Sequence, residues 1–317
     1  MALICLIGAN SILVETSLRQ IVYIAGYGRS GSTIVERMLS ANEKIIGLGE
    51  LAYINDSNYA DLLWPKAAQD QFWREGECIL RLHDNELRHA SLLQLRNESV
   101  VWSFLKMLIF FSTEYLIFQH GFFTRLSSIV PDKIEYIIDS SKTARDRFGR
   151  PHALAASTGM PVKMIHLVRD PRGCLASIRK GSNNEMEGLP FGSRKALTIR
   201  VYVGWFLSNI SALIYSKRYG VDYYLAVQFE ALLSDPVMEL ARIGKYLGID
   251  LSAEANKVIN SEPIPQAPQF AGNRLRSATT IKITATSVTG NAGGYLSNLL
   301  FCILGAPIMY LMRKIAK

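Results

Sequence analysis

The residues best placed to do chemistry form a glycine-rich turn, Gly26-Tyr27-Gly28-Arg29-Ser30-Gly31-Ser32-Thr33, between the apolar run Ile21 to Ala25 and a helical pattern from Ile34 to Ser40. A strand that feeds such a turn into a helix start aims several backbone N–H groups at one point, where the helix dipole also favours an anion. The turn is therefore expected to hold phosphate or sulfate. Its spacing follows G-x-x-x-x-G-K-[ST] except at Ser32, which stands where nucleotide hydrolases carry the lysine that reaches the β and γ phosphates. Arg29 supplies a cation from within the turn, and Gly28, Ser30, Gly31, Ser32 and Thr33 complete the expected anion site.

A second cation, Arg169, ends the apolar run Val162 to Val168 and precedes Asp170-Pro171, a helix start with proline near its first position. At the carboxyl end of a parallel strand it would face the crevice where open α/β sheets bind ligands, and a guanidinium there suits a phosphate dianion. Ser177, eight residues on, falls near the second turn of the following helix and could offer its hydroxyl to the same anion. Taken alone, Arg169-Asp170 also reads as a structural ion pair, and His166 as a packed core histidine.

The elements that must position these residues alternate along the chain. Ile21 to Ala25, Lys44 to Leu48, Glu135 to Ile138, Val162 to Val168 and Val221 to Val227 are nearly all apolar, as strands buried on both faces should be. The expected fold is α/β, a doubly wound parallel sheet with flanking helices. Residues 1–19 read as a tail and 20–317 as one domain, with a helical insertion over about 56–130 and a surface loop from Lys180 to Gly192.

Composition narrows the function classes. Lysine and arginine outnumber aspartate and glutamate by 35 to 27, which favours an anionic ligand, nucleic acid or membrane headgroups. Cys5, Cys78, Cys174 and Cys302 form no C-x-x-C pair, and the five histidines show no ligand spacing, so no metal site is expected. The chain lacks aromatic-basic interleaving, which speaks against nucleic acid. Arg179, Lys180, Arg194, Lys195 and Arg200 read as a solvated basic face. From Ile283 to Met312 no residue is charged, and Tyr295 to Met312 is mostly apolar; Pro307, Asn298 and its limited length favour a buried last helix over a membrane span. The expected location is cytoplasmic, with attachment at a membrane periphery as the alternative.

Taken together, the lysine-free turn and the Arg169/Ser177 spacing resemble the sulfotransferase family that uses 3′-phosphoadenosine 5′-phosphosulfate (PAPS). Ile138-Asp139-Ser140-Ser141-Lys142 is similar to its D-S-S-K segment. Gln228 to Pro236 with Tyr246-Leu247-Gly248 is similar to its post-strand helix region, and Ala271-Gly272-Asn273-Arg274-Leu275-Arg276 to the late G-N-x-x-R element that closes over the nucleotide. The resemblance implies PAPS as donor without a metal, a hydroxyl-bearing acceptor, the 5′-phosphosulfate on the turn, and the 3′-phosphate on Arg169 and Ser177. It places Asn273, Arg274 and Arg276 at the nucleotide and makes Lys142 an aid to sulfuryl transfer, bracketing the transferred group with Arg29. Beyond Arg276 the chain departs from the family pattern, with Thr, Ser and Gly in place of the usual aspartate and tryptophan.

Sulfuryl transfer also needs a base for the attacking hydroxyl. Glu50 follows Lys44 to Leu48 and Gly49, which puts it past a strand end beside the turn, and it is similar in placement to the catalytic glutamate of tyrosylprotein-type members. Glu36 and Glu43 are poorer candidates. The alternatives are a P-loop kinase or NTPase with Asp139 as a magnesium ligand, and a noncatalytic nucleotide-binding module at a membrane.

Overall fold

The computed structural model describes residues 18–101, 111–143, 145–159, 161–180, 194–272, 278–281 and 294–315. Five short runs make one parallel sheet: β1 (Gln20–Ala25), β2 (Ile45–Gly47), β3 (Tyr136–Asp139), β4 (Lys163–Val168) and β5 (Tyr224–Gln228). Their order is β2-β3-β1-β4-β5. The chain leaves β1 towards β2 on one side, whereas β4 leads to β5 on the other. The loops after β1 and β4 therefore part and open a crevice at the carboxyl ends.

Alternation sorts the side chains of β1 between two cores. Val22 and Ile24 pack with Val35, Met38, Leu240 and Ile243 on one face. Ile21, Tyr23 and Ala25 face a larger cluster containing Trp64, Trp73, Phe122 and Trp205. Both faces are covered, which explains why the strands are apolar throughout. The first face carries α1 (Ser32–Leu39). Between β2 and β3 come α2 (Ala60–Ala67), α3 (Gln71–Leu80), α4 (Asp84–Glu98) and α5 (Thr113–Ile129). Then follow α6 (Arg150–Thr158), α7 (Pro171–Arg179) and the long α8 (Arg194–Tyr219). After β5 come α9 (Phe229–Ser234), α10 (Pro236–Leu247) and α11 (Ser252–Ile259). A two-stranded clip pairs Ile264–Pro265 with Thr280–Ile281.

Two described helices are long and apolar enough to cross a membrane by length and composition, α8 and the last helix, α12 (Tyr295–Ile315). Several polar side chains of α8 point inward and are used. The Ser211 hydroxyl donates to the Phe148 carbonyl (2.6 Å), and the Tyr215 hydroxyl to the Val162 carbonyl (3.0 Å). For α12 the expectation of a buried helix needs correcting. Its buried residues, Ser297, Gly305, Ile308, Met309 and Met312, form a single inward stripe, and the opposite side stays exposed. A π turn at Phe301–Gly305, with the Ala306 N–H donating to the Phe301 carbonyl, accommodates Pro307 without ending the helix.

Candidate active site

The glycine-rich turn is built so that backbone, not side chain, fills it. Gly26 has φ +126°, and a Cβ there would lie 2.3 Å from the Leu167 carbonyl oxygen. Gly31 has φ +94°, and its Cβ would strike the Phe229 ring at 2.2 Å. At Gly28 a Cβ would meet nothing within 4 Å, so the turn fronts open space. The start of α1 carries no side-chain cap, which leaves the amides of Ser32 and Thr33 to an incoming anion. Thr143 clasps the turn from the β3 side: its N–H donates to the Gly26 carbonyl (3.1 Å), and its hydroxyl accepts from the Gly26 N–H (3.1 Å). That hydroxyl in turn donates to the Ser208 carbonyl of α8 (2.8 Å).

Arg169 lies where the sequence puts it, past the end of β4 and across the crevice from the turn. Its Nη1 donates to the Arg29 carbonyl at 2.8 Å, its guanidinium sits over the Phe229 ring (5.1 Å), and its own carbonyl accepts from the Trp205 indole N–H (2.9 Å). Its Nε is buried without a partner, so one strong donor stays uncommitted. The structural Arg169-Asp170 pair considered from sequence is absent. Asp170 caps α7 through the Arg172 N–H (2.8 Å), and that geometry turns its carboxylate onto the Arg172 guanidinium. Cys174 of α7 touches the Arg29 carbonyl and the Ser30 hydroxyl, each at 3.9 Å. Ser177 is one turn further along α7 at i+3, on the face that Cys174 presents to the turn.

Glu50 and Lys142 meet as an ion pair past the ends of β2 and β3, with side chains only 11% and 13% exposed. Neither is the surface residue that its neighbourhood in sequence allowed. Lys142 adopts φ 65° and Arg29 φ 68°, two of the four described non-glycine residues in the left-handed region. Such strain persists only where surrounding contacts impose it. At Lys142 the contact is the Tyr23 hydroxyl, which donates to the Lys142 carbonyl. The Glu50 N–H donates to the Ala271 carbonyl at 3.2 Å.

Glu36 is the residue that sequence reasoning undervalued. It is fully buried on α1 and accepts from the Gly49 N–H (2.5 Å), the Ser140 hydroxyl (2.7 Å) and the Gln269 amide (2.6 Å). It thereby ties the loops that carry Glu50 and Lys142 to the phosphate-loop helix. Burial raises its carboxyl to about 7, against the three hydrogen bonds that oppose the rise. Nothing in the local pattern around Ile34 to Met38 signals this role. Arg37, its neighbour, donates to the carbonyls of Ile264, Pro265 and Ala278 (2.8–3.1 Å), anchoring both arms of the clip. Asn273, Arg274 and Arg276 lie outside the described residues.

Two other candidates are committed to structure. Asp139 is fully buried and takes the Arg150 Nε and Nη2 on one oxygen (3.0 and 2.9 Å) and the Ser141 N–H and hydroxyl on the other. That excludes the magnesium-ligand role of the kinase alternative. His166 is buried between the Tyr224 hydroxyl (2.7 Å) and the Asn209 amide oxygen (2.8 Å), and desolvation lowers it to about 4, as befits a core histidine. Among the described residues no group of three or more His, Cys, Asp or Glu side chains is arranged to hold a metal ion.

The arrangement joins an uncapped anion cradle, an arginine with a spare donor and a carboxylate–ammonium pair at the ends of four adjacent strands. Residues 19–263 match the family described as the sulfotransferase domain. Sulfotransferase STF1 of Mycobacterium tuberculosis H37Rv shares the fold, with TM-score 0.51 and 13% identity over 92% of this chain and 78% of that one. STF9 of Mycobacterium avium gives 0.49 and 11% over 92% and 77%, and the sulfotransferase domain of the Synechococcus PCC 7002 olefin synthase 0.45 and 20% over 94% of each. A search of curated proteins found no match.

Proposed function

The chain belongs to the sulfotransferase domain family, and on that premise we propose that it transfers a sulfuryl group from PAPS to an acceptor hydroxyl. The observation that carries this reading is the convergence of the Glu50–Lys142 pair on a lysine-free phosphate loop faced by Arg169. The residues fit the donor. The amides of Ser32 and Thr33, the open space at Gly28 and the Arg29 cation suit the 5′-phosphosulfate, and the unpartnered Arg169 Nε with Ser177 suits the 3′-phosphate. By resemblance, Asn273, Arg274 and Arg276 complete the nucleotide site. When bound, the donor supplies the activated sulfuryl group.

Within this frame Glu50 accepts the proton of the attacking hydroxyl, and the Lys142 ammonium neutralises charge developing on the oxygen that departs. Their contact brings proton acceptor and cation to one point. The strained backbone at Arg29 and Lys142 fixes both cations before substrate arrives, which lowers the cost of reorganisation.

The test is binding of 3′-phosphoadenosine 5′-phosphate in the presence of a chelator. Arg169→Ala should weaken it by about 10- to 100-fold, the usual worth of a charged hydrogen bond. Adenosine 5′-phosphosulfate, which lacks the 3′-phosphate, should lose little. Equal loss for both nucleotides overturns the role of Arg169, and nucleotide binding without turnover on a library of hydroxyl acceptors overturns the enzyme reading.

A further inference from the structure

The last helix has two faces, and only one belongs to the core. Inward, Ile308, Met309 and Met312 join the cluster around Trp205 and Tyr215, and the Ser297 hydroxyl meets that of Tyr202 on α8 at 2.9 Å. Outward, Tyr295, Leu299, Ile303, Tyr310, Leu311 and Ile315 are 40–85% exposed, with Ile303 at 58% and Tyr310 at 62%. A contiguous apolar stripe of this kind marks a contact surface, because isolated domains rarely leave one in water. It continues onto α8. Ile199 and Val203 are 47% and 42% exposed and flank Tyr202, one of the residues that join the two helices.

The charges that α8 and α12 themselves carry are of one sign. Neither α8 nor α12 contains an aspartate or glutamate, and no acidic residue follows Glu262 in the chain. Arg313 and Lys314 sit at one end of the stripe, with the Lys314 ammonium 4.7 Å over the Tyr310 ring. At the other end Arg194, Lys195 and Arg200 of α8 are exposed, together with Arg179 and Lys180, and the Arg179 side chain donates to Thr198. The basic face read from sequence is thus the rim of an apolar one. An apolar helical stripe with tyrosines near both ends and cations at its rim suits the headgroup layer of a bilayer.

We propose that the outer faces of α12 and α8 seat this protein on an anionic lipid surface, with α12 lying in the plane of the interface. Spanning would strip Ile308, Met309 and Met312 from the core and break the Tyr202–Ser297 contact. A second copy placed on the same face would set one cationic rim against another, which like-charge repulsion opposes.

Flotation of the full chain with two kinds of vesicle tests the proposal. The protein should float with phosphatidylcholine vesicles containing roughly one-third phosphatidylglycerol and not with phosphatidylcholine alone. About 0.5 M salt should weaken the association by screening. The double variant Ile303→Asp/Tyr310→Asp should lose about tenfold or more in partitioning, with an unchanged melting temperature as evidence that it folds. Arg313→Glu/Lys314→Glu, which leaves the apolar stripe intact, should lose anionic-vesicle binding selectively. Equal flotation with both vesicle types, or variants that float like the parent, overturns the proposal. So does a membrane fraction that resists alkaline extraction, or a lipid-free dimer that Ile303→Asp dissociates.

Discussion

Three residues apart, the last residue of β3 and a residue of the loop that follows it, Asp139 and Lys142 serve opposite kinds of electrostatics. Asp139 is sealed in a network with Arg150, Glu98, Tyr115 and Ser141, where Arg150 bridges two carboxylates and the Tyr115 hydroxyl donates to Glu98. Lys142 pairs with Glu50 at the rim of the crevice, on a backbone bent into the left-handed region. Both regions oppose carboxylate to cation, yet they differ in what is left over. In the buried network the Asp139 oxygens are committed, so its charge can only hold α4, α5 and α6 to the sheet. In the rim pair one ammonium and one carboxylate keep hydrogen-bonding capacity and some access, so they can be redirected to a substrate. A charged pair becomes chemical where neighbours leave it incomplete.

The contrast can be broken at either end, and the largest effect is expected at the rim. Glu50→Gln keeps size and hydrogen-bonding capacity but removes the proton acceptor, so turnover should fall by about 10² to 10⁴. Its thermal melt and its affinity for the desulfated nucleotide should stay near those of the parent. Unchanged turnover on a true acceptor would remove Glu50 as the base.

Arg150→Ala should behave in the opposite way. It leaves the Asp139 and Glu98 carboxylates buried without their shared cation, a loss of about 3–5 kcal/mol in stability. Urea unfolding measures it, and an unaltered midpoint would mean that the network is not what holds the helices.

Substitutions at Lys142 separate charge from strain. Lys142→Ala and Lys142→Gly both remove the ammonium, and turnover should drop by about 10²-fold or more in each. Only glycine relieves the left-handed conformation, so the glycine variant should be more stable than the alanine variant by about 1 kcal/mol. Equal melts would show that Lys142 is not strained.

The smallest effect concerns Glu36, which couples the two regions through Ser140. Its carboxyl is raised to about 7 in the folded protein from an ordinary 4.5. Between these values the folded state holds the proton that the unfolded chain has already released. Stability is therefore expected to decline as pH rises from 4.5 to 7 and to change little from this group above it. Glu36→Gln should flatten that decline. A parent and variant with parallel stability–pH curves would dissociate Glu36 from it.

Much of the site was legible in sequence because it is local. The turn from Gly26 to Thr33, the Arg169/Ser177 spacing and the apolar runs of the five strands each depend on residues a few positions apart, and the observed strands fall within three residues of the expected ones. What sequence left open were choices that spacing cannot make. It offered Asp170 as a partner of Arg169, where capping geometry gives it to Arg172. It left Asp139 a possible metal ligand, where Arg150 takes it. It treated α12 as buried, where the sheet has room for only one of its apolar faces.

The glycine-rich turn, the parallel sheet and the cations at its strand ends follow from sequence alone, since hydrophobic periodicity and glycine placement act over short stretches of chain. Which distant groups meet depends instead on how the chain packs. Glu50 reaches Lys142 across 92 residues, and Glu36 reaches Ser140 across 104 and Gln269 across 233. No local rule links such positions. They are joined because the parallel order β2-β3-β1-β4-β5 delivers each strand's carboxyl end to the same edge of the sheet.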